Sequence, residues 1–479
     1  MTSSLREGPA PEGPFDVAIV GAGAVGCAVA RELTLRRARC VIVEAAPDVG
    51  AGTSKANTAI HHTGFDAKPG TVESRLVSLG YELLTEYAAR VGIPVATLGA
   101  LMVAWTPEQR EALAGIRETA DVNGYEETRA VELEELYARE PNLGPGAEGA
   151  IEIPGEGIVC PFTTTLAFAT EAVRNGCELV LNAAVGGVRT TGGVHELETS
   201  RGPIRARFLV NAAGLRSDEI DAMIGHSVFQ VTPRRGELIV FDKLARGLVN
   251  HVLLPVPTEK TKGVLVSPTI YGNVLLGPTA DDVDDKTDRS TTAAGLASLM
   301  EAGGRIIPGL VGHEVTATYV GLRAATEHRD YQLRAHPDER YVCAGGIRST
   351  GISGSMGIAE WVREALYDAG LELSEPVAKL LRMPNIGEFG TRPYQDDELI
   401  GRDRDYGRIV CFCERVTRGE IDAALASPIP PVDADGLRRR TRALMGRCQG
   451  FFCGAEIAAV MESGDQVTPG REAEVASDD

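Results

Sequence analysis

Residues 15–44 constrain this chain more than any other stretch. Phe15 to Val20 is an apolar, β-branched run that reads as a buried parallel strand. Gly21-Ala22-Gly23-Ala24-Val25-Gly26 follows at once, then a helical pattern from Cys27 to Arg36 and a second strand from Arg39 to Val43, ending in Glu44. Strand, G-x-G-x-x-G, helix, strand, acid is the order of a dinucleotide site. Gly21 permits the tight turn, Gly23 lets backbone approach a pyrophosphate, Gly26 allows close helix packing, and the helix N-terminus stabilises phosphate charge. Glu44 can accept hydrogen bonds from ribose hydroxyls. A glycine-rich turn in some other α/β unit would lack the flanking strands and the spaced acid. The motif does not by itself separate NAD from FAD.

The next segment does. Gly52-Thr53-Ser54-Lys55-Ala56-Asn57-Thr58-Ala59-Ile60-His61-His62-Thr63-Gly64 is small and polar. It resembles the flavin-lining K-A-N-x-(G/A)-(I/V)-x-H-x-G segment of the glycine-oxidase-like (D-amino-acid-oxidase) superfamily. The matching branch contains anaerobic glycerol-3-phosphate dehydrogenase and L-2-hydroxyglutarate dehydrogenase. Val210 to Gly214, Pro233-Arg234-Arg235-Gly236-Glu237, Gly321-Leu322-Arg323 and Gly346 to Gly351 match further motifs of that branch. The resemblance runs from about Phe15 to Tyr367. It implies FAD contacts from Thr53, Ser54, Asn57 and Thr58, from Val185, from Ala213 and Gly214, and from Gly346, Gly351 and Ile352.

An α/β fold follows, with a Rossmann-like FAD domain in three pieces, 15–92, 150–222 and 326–372. The substrate domain is expected over 93–149 and 223–325. Strand-like runs there (Val228–Val231, Glu237–Phe241, Val252–Pro255, Gly263–Ser267 and Val274–Gly277) point to an antiparallel sheet able to roof a flavin. A flexible leader over 1–14, a linker over 373–408 and a disordered acidic tail over 466–479 complete the division.

The remaining module, 409–465, carries Cys411 and Cys413 as C-x-C and, after 34 residues, Cys448 and Cys453 as C-x4-C. Clustered thiolates hold metal, and on spacing alone both zinc and iron–sulfur stay open, although paired C-x2-C knuckles are missing. The string from Leu437 to Cys453 resembles the bacterioferritin-associated-ferredoxin-like domain, which implies a [2Fe-2S] cluster on these four cysteines. Arg438, Arg439, Arg440 and Arg442 read as a solvated helix face, with a role in balancing cluster charge as the alternative. The other five cysteines sit in apolar contexts and read as small buried side chains.

Net charge is -19 and aromatics are 5%, which argues against nucleic acid as a partner. No apolar run is long enough to span a membrane, and Met1 to Pro14 lacks an apolar signal region, so a cytoplasmic protein is expected. The resemblance implies partner subunits that carry electrons to membrane quinone, which would place the chain peripherally at the inner face of the cell membrane. It also implies a small anionic 2-hydroxy substrate, with glycerol 3-phosphate ahead of L-2-hydroxyglutarate or another 2-hydroxy acid. Opine or amino-acid oxidation, and a non-catalytic electron-transfer or redox-sensing role, are the other readings. His62 is the first catalytic candidate, with His61 beside it if the register slips by one. His251 is the second, and Arg323 could fork onto a carboxylate or phosphate. Arg234, Arg235 and Lys262 are further anion-binding candidates.

Overall fold

The computed structural model describes residues 5–257, 263–377, 379 and 381–463; Lys262 and the tail expected over 466–479 lie outside them. Strand β1 (Phe15–Val20) pairs in parallel with β2 (Cys40–Val43), placing Val17 opposite Cys40. On its other side it pairs in parallel with Gly202–Asn211, placing Val20 opposite Asn211. These neighbours sit inside an eight-stranded mixed sheet. Glu178–Val180 extends it beyond β2, and Tyr341–Gly345 pairs in parallel with the last residues of Gly202–Asn211. Helix α1 (Ala24–Leu35) is buried along almost its whole length: its first two turns are apolar or small, and Arg31, Glu32 and Thr34 in the last turns are each paired, Arg31 with Glu171. It packs between the helices Pro161–Arg174 and Ser355–Asp368.

Helix α2 (Val72–Val91) starts at Thr71, whose hydroxyl accepts from Ser74 N–H, and stops at Gly92 in the left-handed region. A Cβ on Gly80 would lie 2.3 Å from Ser353 O, and one on Gly357 would lie 2.4 Å from Leu76 O. Glycine at both positions therefore lets α2 seat directly on the turn that begins Ser355–Asp368. That turn carries Ser353 to the site described below.

A second, nine-stranded sheet forms the roof. Its two long strands, Val231–Phe241 and Val315–Thr326, pair antiparallel, with Arg234 opposite Arg323 and Gly236 opposite Gly321. The expected antiparallel character is interrupted once, where Val252–Pro255 runs parallel to Ala100–Ala104. Gly149–Ile153, expected at the start of a flavin-domain piece, pairs with Ala100–Ala104 and so belongs to the roof. Ala150 on one face and Ile151 and Ile153 on the other are buried, as an interior strand requires.

Two loose segments of the sequence reading are corrected. Arg6 in the expected leader is buried and donates to Pro47 O (2.8 Å) and Pro430 O (2.6 Å). In the expected linker, Leu381 and Ile386 are buried, and Arg392 is 1% exposed between Glu388 and Glu420. The segment is a packed strap.

The cysteine module has its own small core, with Val416, Ile421, Leu437 and Ile457 at its centre. Its helices are Arg418–Ala426, Ala434–Thr441 and Gly454–Ser463. The first opens with a capping box between Thr417 and Glu420. The arginine run is not a solvated face. Arg439 and Arg440 are buried on Asp48 of the nucleotide-binding unit, and Arg442 stacks over Tyr271 at 4.0 Å.

Candidate active site and cysteine module

A cavity of about 1160 Å³ opens between the two sheets. The glycine-rich turn after β1 forms one wall. Gly21 has φ +106°, and a Cβ there would lie 2.5 Å from Ala212 O, so only glycine fits. Gly26 is outside the cavity; a Cβ there would lie 2.0 Å from Gly21 O, so it serves close packing of α1 on the turn. Ala24 N–H donates to Ser54 Oγ (2.9 Å) at the helix N-terminus. Glu44 lines the cavity while accepting from Ala22 N–H (2.6 Å) and Ala46 N–H (2.8 Å), and burial raises its pKa.

The other expected cofactor positions, Gly23, Thr53, Asn57, Thr58, Val185, Ala213, Gly214, Gly351 and Ile352, also line the cavity. Gly346 does not; at φ +63° it turns the chain tightly past Gln332. Asn57 fixes the lining segment: its side chain donates to Ser54 O (2.8 Å) and accepts from Ala59 N–H (2.8 Å), and Tyr319 OH donates to its carbonyl (2.6 Å). The roof is pinned to this segment at Gly321, where a Cβ would lie 2.0 Å from Ala56 O. Thr53 Oγ1 adds a bond to Leu322 O (2.8 Å).

His62 lines the cavity and stands between two carboxylates. Its Nδ1 is 2.9 Å from Glu156 Oε1 and its Nε2 is 3.2 Å from Asp66 Oδ1. Ser353 Oγ holds its backbone N–H (2.8 Å). Burial opposes the charged ring, but Glu156 and Asp66 outweigh it and push the pKa up to about 10. His62 is therefore an imidazolium at neutral pH, a hydrogen-bond donor and not a free base. Glu156 is fully buried; its Oε1 also accepts from Thr63 N–H (2.7 Å) and Thr63 Oγ1 (2.8 Å).

The other two candidate histidines lie outside the cavity lining. His61 stacks on Tyr81 at 4.4 Å and contacts Thr85 Oγ1 through Nε2 (2.9 Å), outside the cavity lining. Burial lowers its pKa to about 4. His251 also misses the cavity, because it is locked between Glu140 Oε1 (2.7 Å) and Arg139 Nη2 (3.0 Å).

Arg323 lines the cavity, donates to Thr279 O (2.6 Å), and has its pKa lowered to about 10 by burial and by the neighbouring Arg234 charge. It stays protonated at neutral pH. Arg348, which the sequence reading passed over, also lines the cavity and donates to His328 O (2.6 Å). Among the described residues neither guanidinium has an ion-pair partner within 4.0 Å, so both offer charge to an incoming anion. Arg234 and Arg235 do not reach the cavity. Arg234 forks onto Asp282 (2.7 and 3.0 Å), and Arg235 lies beside Glu237 (3.7 Å) and Asp288 (3.6 Å). The working members of that motif are its last two: a Cβ on Gly236 would lie 3.0 Å from Arg323 Nη2, and buried Glu237 accepts from Thr292 N–H (3.0 Å).

In the module, Gly446 lets the two cysteine loops meet, since a Cβ there would lie 2.3 Å from Cys413 Cβ. Side-chain contacts join Cys413 to Cys448 and Cys453 to Cys411. The four sulfurs do not converge on one point: the three-residue group with all donor atoms within 4.8 Å, among the described residues, is His226, His336 and Glu339. One tetrahedral zinc ion would hold all four sulfurs about 3.8 Å apart. Two thiol pairs suit a binuclear cluster.

The family model "FAD dependent oxidoreductase" matches residues 16–365. The chain belongs to that family. A second model, "BFD-like [2Fe-2S] binding domain", matches residues 409–463. The oxidoreductase is 34% identical over 451 residues to a glycerol 3-phosphate dehydrogenase of Caloramator mitchellensis, spanning 93% of this chain and 94% of that one. It is 30% identical over 283 residues to human mitochondrial L-2-hydroxyglutarate dehydrogenase, covering 56% of this chain and 61% of that one. Among solved structures, FAD-bound L-alpha-glycerophosphate oxidase from Mycoplasma pneumoniae superposes with a TM-score of 0.73 at 27% identity, covering 78% of this chain and all of that one. The cofactors of the oxidoreductase are FAD and a [2Fe-2S] cluster, and the cavity and the paired thiols fit them.

Proposed function

We propose that this oxidoreductase is a dehydrogenase converting sn-glycerol 3-phosphate to dihydroxyacetone phosphate, with electrons leaving through the [2Fe-2S] module to a protein acceptor and from there to quinone. The carrying observation is a likeness to a glycerol 3-phosphate dehydrogenase that spans 93% of the chain, the cysteine module included. The cavity supports it, because Arg323 and Arg348 lack carboxylate partners among the described residues and His62 is cationic. Together they suit a small phosphorylated alcohol.

When bound, FAD supplies the hydride acceptor for a C–H bond next to a hydroxyl. The chain's own residues do the rest. Arg323 and Arg348 bind the anionic end of the substrate. His62 orients the reacting hydroxyl by donating from Nε2 to its oxygen. Both ring nitrogens carry protons, so the Asp66 carboxylate beside Nε2, which also lines the cavity, takes the hydroxyl proton as the hydride leaves for the flavin. His251, Arg234 and Arg235 take no part. Cys411, Cys413, Cys448 and Cys453 ligate the cluster. No helix among the described residues is long and apolar enough to cross a membrane.

The test is anaerobic reduction of the bound flavin by a substrate panel: glycerol 3-phosphate, L-2-hydroxyglutarate, lactate, opines and amino acids. Glycerol 3-phosphate bleaches the flavin at micromolar to millimolar concentration if the proposal holds. Bleaching by another member alone reassigns the substrate, and bleaching by none rejects catalysis.

A further inference from the structure

The cysteine module does more than carry electrons away. Asp433, Asp435 and Arg439 belong to it and line the same cavity as the dinucleotide turn. The contact is close and buried. Arg439 Nη2 donates to Asp48 Oδ2 (2.6 Å), and Arg440 donates to both oxygens of Asp48 (2.7 and 2.8 Å). Asp48 lies four residues beyond Glu44, the ribose-facing acid. Gly436 makes this approach possible, since a Cβ there would lie 2.9 Å from Asp48 Oδ2. Asp435 Oδ2 accepts from Lys55 Nζ (2.6 Å) and also from Arg439 Nη1, so Arg439 bridges Asp48 and Asp435. Lys55 follows Ser54, whose Oγ accepts from Ala24 N–H at the helix N-terminus where a pyrophosphate would sit. The junction gathers Arg6, Lys55, Arg439 and Arg440 against Asp48, Asp433 and Asp435, with Glu44 close to Asp48.

We propose that Arg439, contributed by the cysteine module, is a cofactor-binding residue that keeps Asp48 and exchanges Asp435 for the dianionic pyrophosphate of FAD beside Lys55, so that flavin binding and module docking strengthen each other. Arg440 holds the dock on Asp48 without lining the cavity. The module is then a fixed wall of the flavin site and not a tethered carrier. Reciprocity follows from linkage: whatever docking contributes to FAD affinity, FAD returns to docking.

The inference rests on the flavin reading, and a wild type that bound no FAD would fail that reading itself. The experiment uses the full chain with FAD removed, titrated back by flavin fluorescence at several salt concentrations. Arg439→Met is expected to weaken FAD binding by about tenfold to a hundredfold, the effect of losing one charge-assisted hydrogen bond, and to flatten the salt dependence. Arg440→Met, which weakens the dock but leaves the cavity cation in place, is expected to weaken FAD binding by a smaller factor and to keep its salt dependence, while both variants keep the visible absorption of the cluster. Excess FAD should also slow proteolysis within residues 409–463 of the wild-type apoprotein. Unchanged FAD affinity in Arg439→Met, a salt dependence altered to the same extent in both variants, or no protection by FAD would overturn the proposal. If Arg439→Met loses the cluster absorption, Arg439→Gln provides the same reading with a polar side chain in place.

Discussion

Glutamine at position 156 isolates the charge of His62 from its position. The Glu156→Gln side chain keeps an oxygen for the Thr63 N–H and hydroxyl, but it presents no charge to His62 Nδ1. A unit charge about 4 Å away at an effective dielectric near 20 is worth about 4 kcal/mol. That corresponds to about three pKa units. His62 should therefore fall from about 10 to about 7. The assay is stopped-flow reduction of the flavin by glycerol 3-phosphate, without oxygen, from pH 5.5 to 9.5. Wild type should hold its rate and substrate affinity across this range, since the imidazolium persists. Glu156→Gln should match it below about pH 6 and lose both with a midpoint about pH 7. Stability should follow the same charge. His62 binds its proton more tightly folded than unfolded, so its stabilising contribution is complete below pH 6.5 and is lost as pH rises through about 10. In the glutamine variant that loss should shrink. A variant with the wild-type pH profile would refute the argument that a carboxylate-held imidazolium orients the substrate.

Arg323→Met removes a buried cation of the cavity and should raise the glycerol 3-phosphate concentration for half-maximal flavin reduction by about tenfold to a hundredfold, with a smaller change in the limiting rate; equal losses in both would place Arg323 at the chemical step. Gly321→Ala forces a Cβ against Ala56 O, at 2.0 Å, and should cost about 1–3 kcal/mol in thermal or urea unfolding together with weaker FAD retention. Normal stability there would mean that the roof is not seated at this point. Cys413→Ser should leave flavin reduction by substrate unchanged, while iron content and the reduction of a one-electron acceptor fall at least about tenfold; iron retained in full would remove Cys413 from the ligand set.

Much of the cofactor site was legible because backbone geometry demands particular residues. Gly21 and Gly26 sit where a Cβ would strike backbone oxygen, so the sequence shows them directly. The same holds for Gly321, although its reason, contact with Ala56 O, belongs to the tertiary structure. The anion candidates were harder. Arg234 and Arg235 look as basic as Arg323 in sequence, and only the strand pairing shows that Asp282 answers one of them while Gly236 clears space for Arg323. Glu156 was invisible because 94 residues separate it from His62. Asp66 was within reach, four residues after His62 and one turn away. Arg438 to Arg442 misled because a basic run usually faces water; their partners, Asp48 and Glu414, come from elsewhere in the chain.

The overall charge gives a last consequence. The chain carries -19, yet its proposed substrate is an anion. Attraction must therefore be local. Arg323 is half-buried and His62 is held inside the cavity, so their fields are little screened by ions in bulk water. The net negative charge of the chain acts at longer range. Between about 10 mM and 150 mM salt the screening length falls from about 30 Å to about 8 Å. That change should suppress the long-range repulsion more than the buried attraction. The second-order rate of flavin reduction by glycerol 3-phosphate should accordingly rise by about twofold or more over this interval. A basic entrance that steered the substrate from a distance would give the opposite slope. A falling rate would therefore mean that surface cations, and not the buried pair Arg323 and His62, govern capture of the anion.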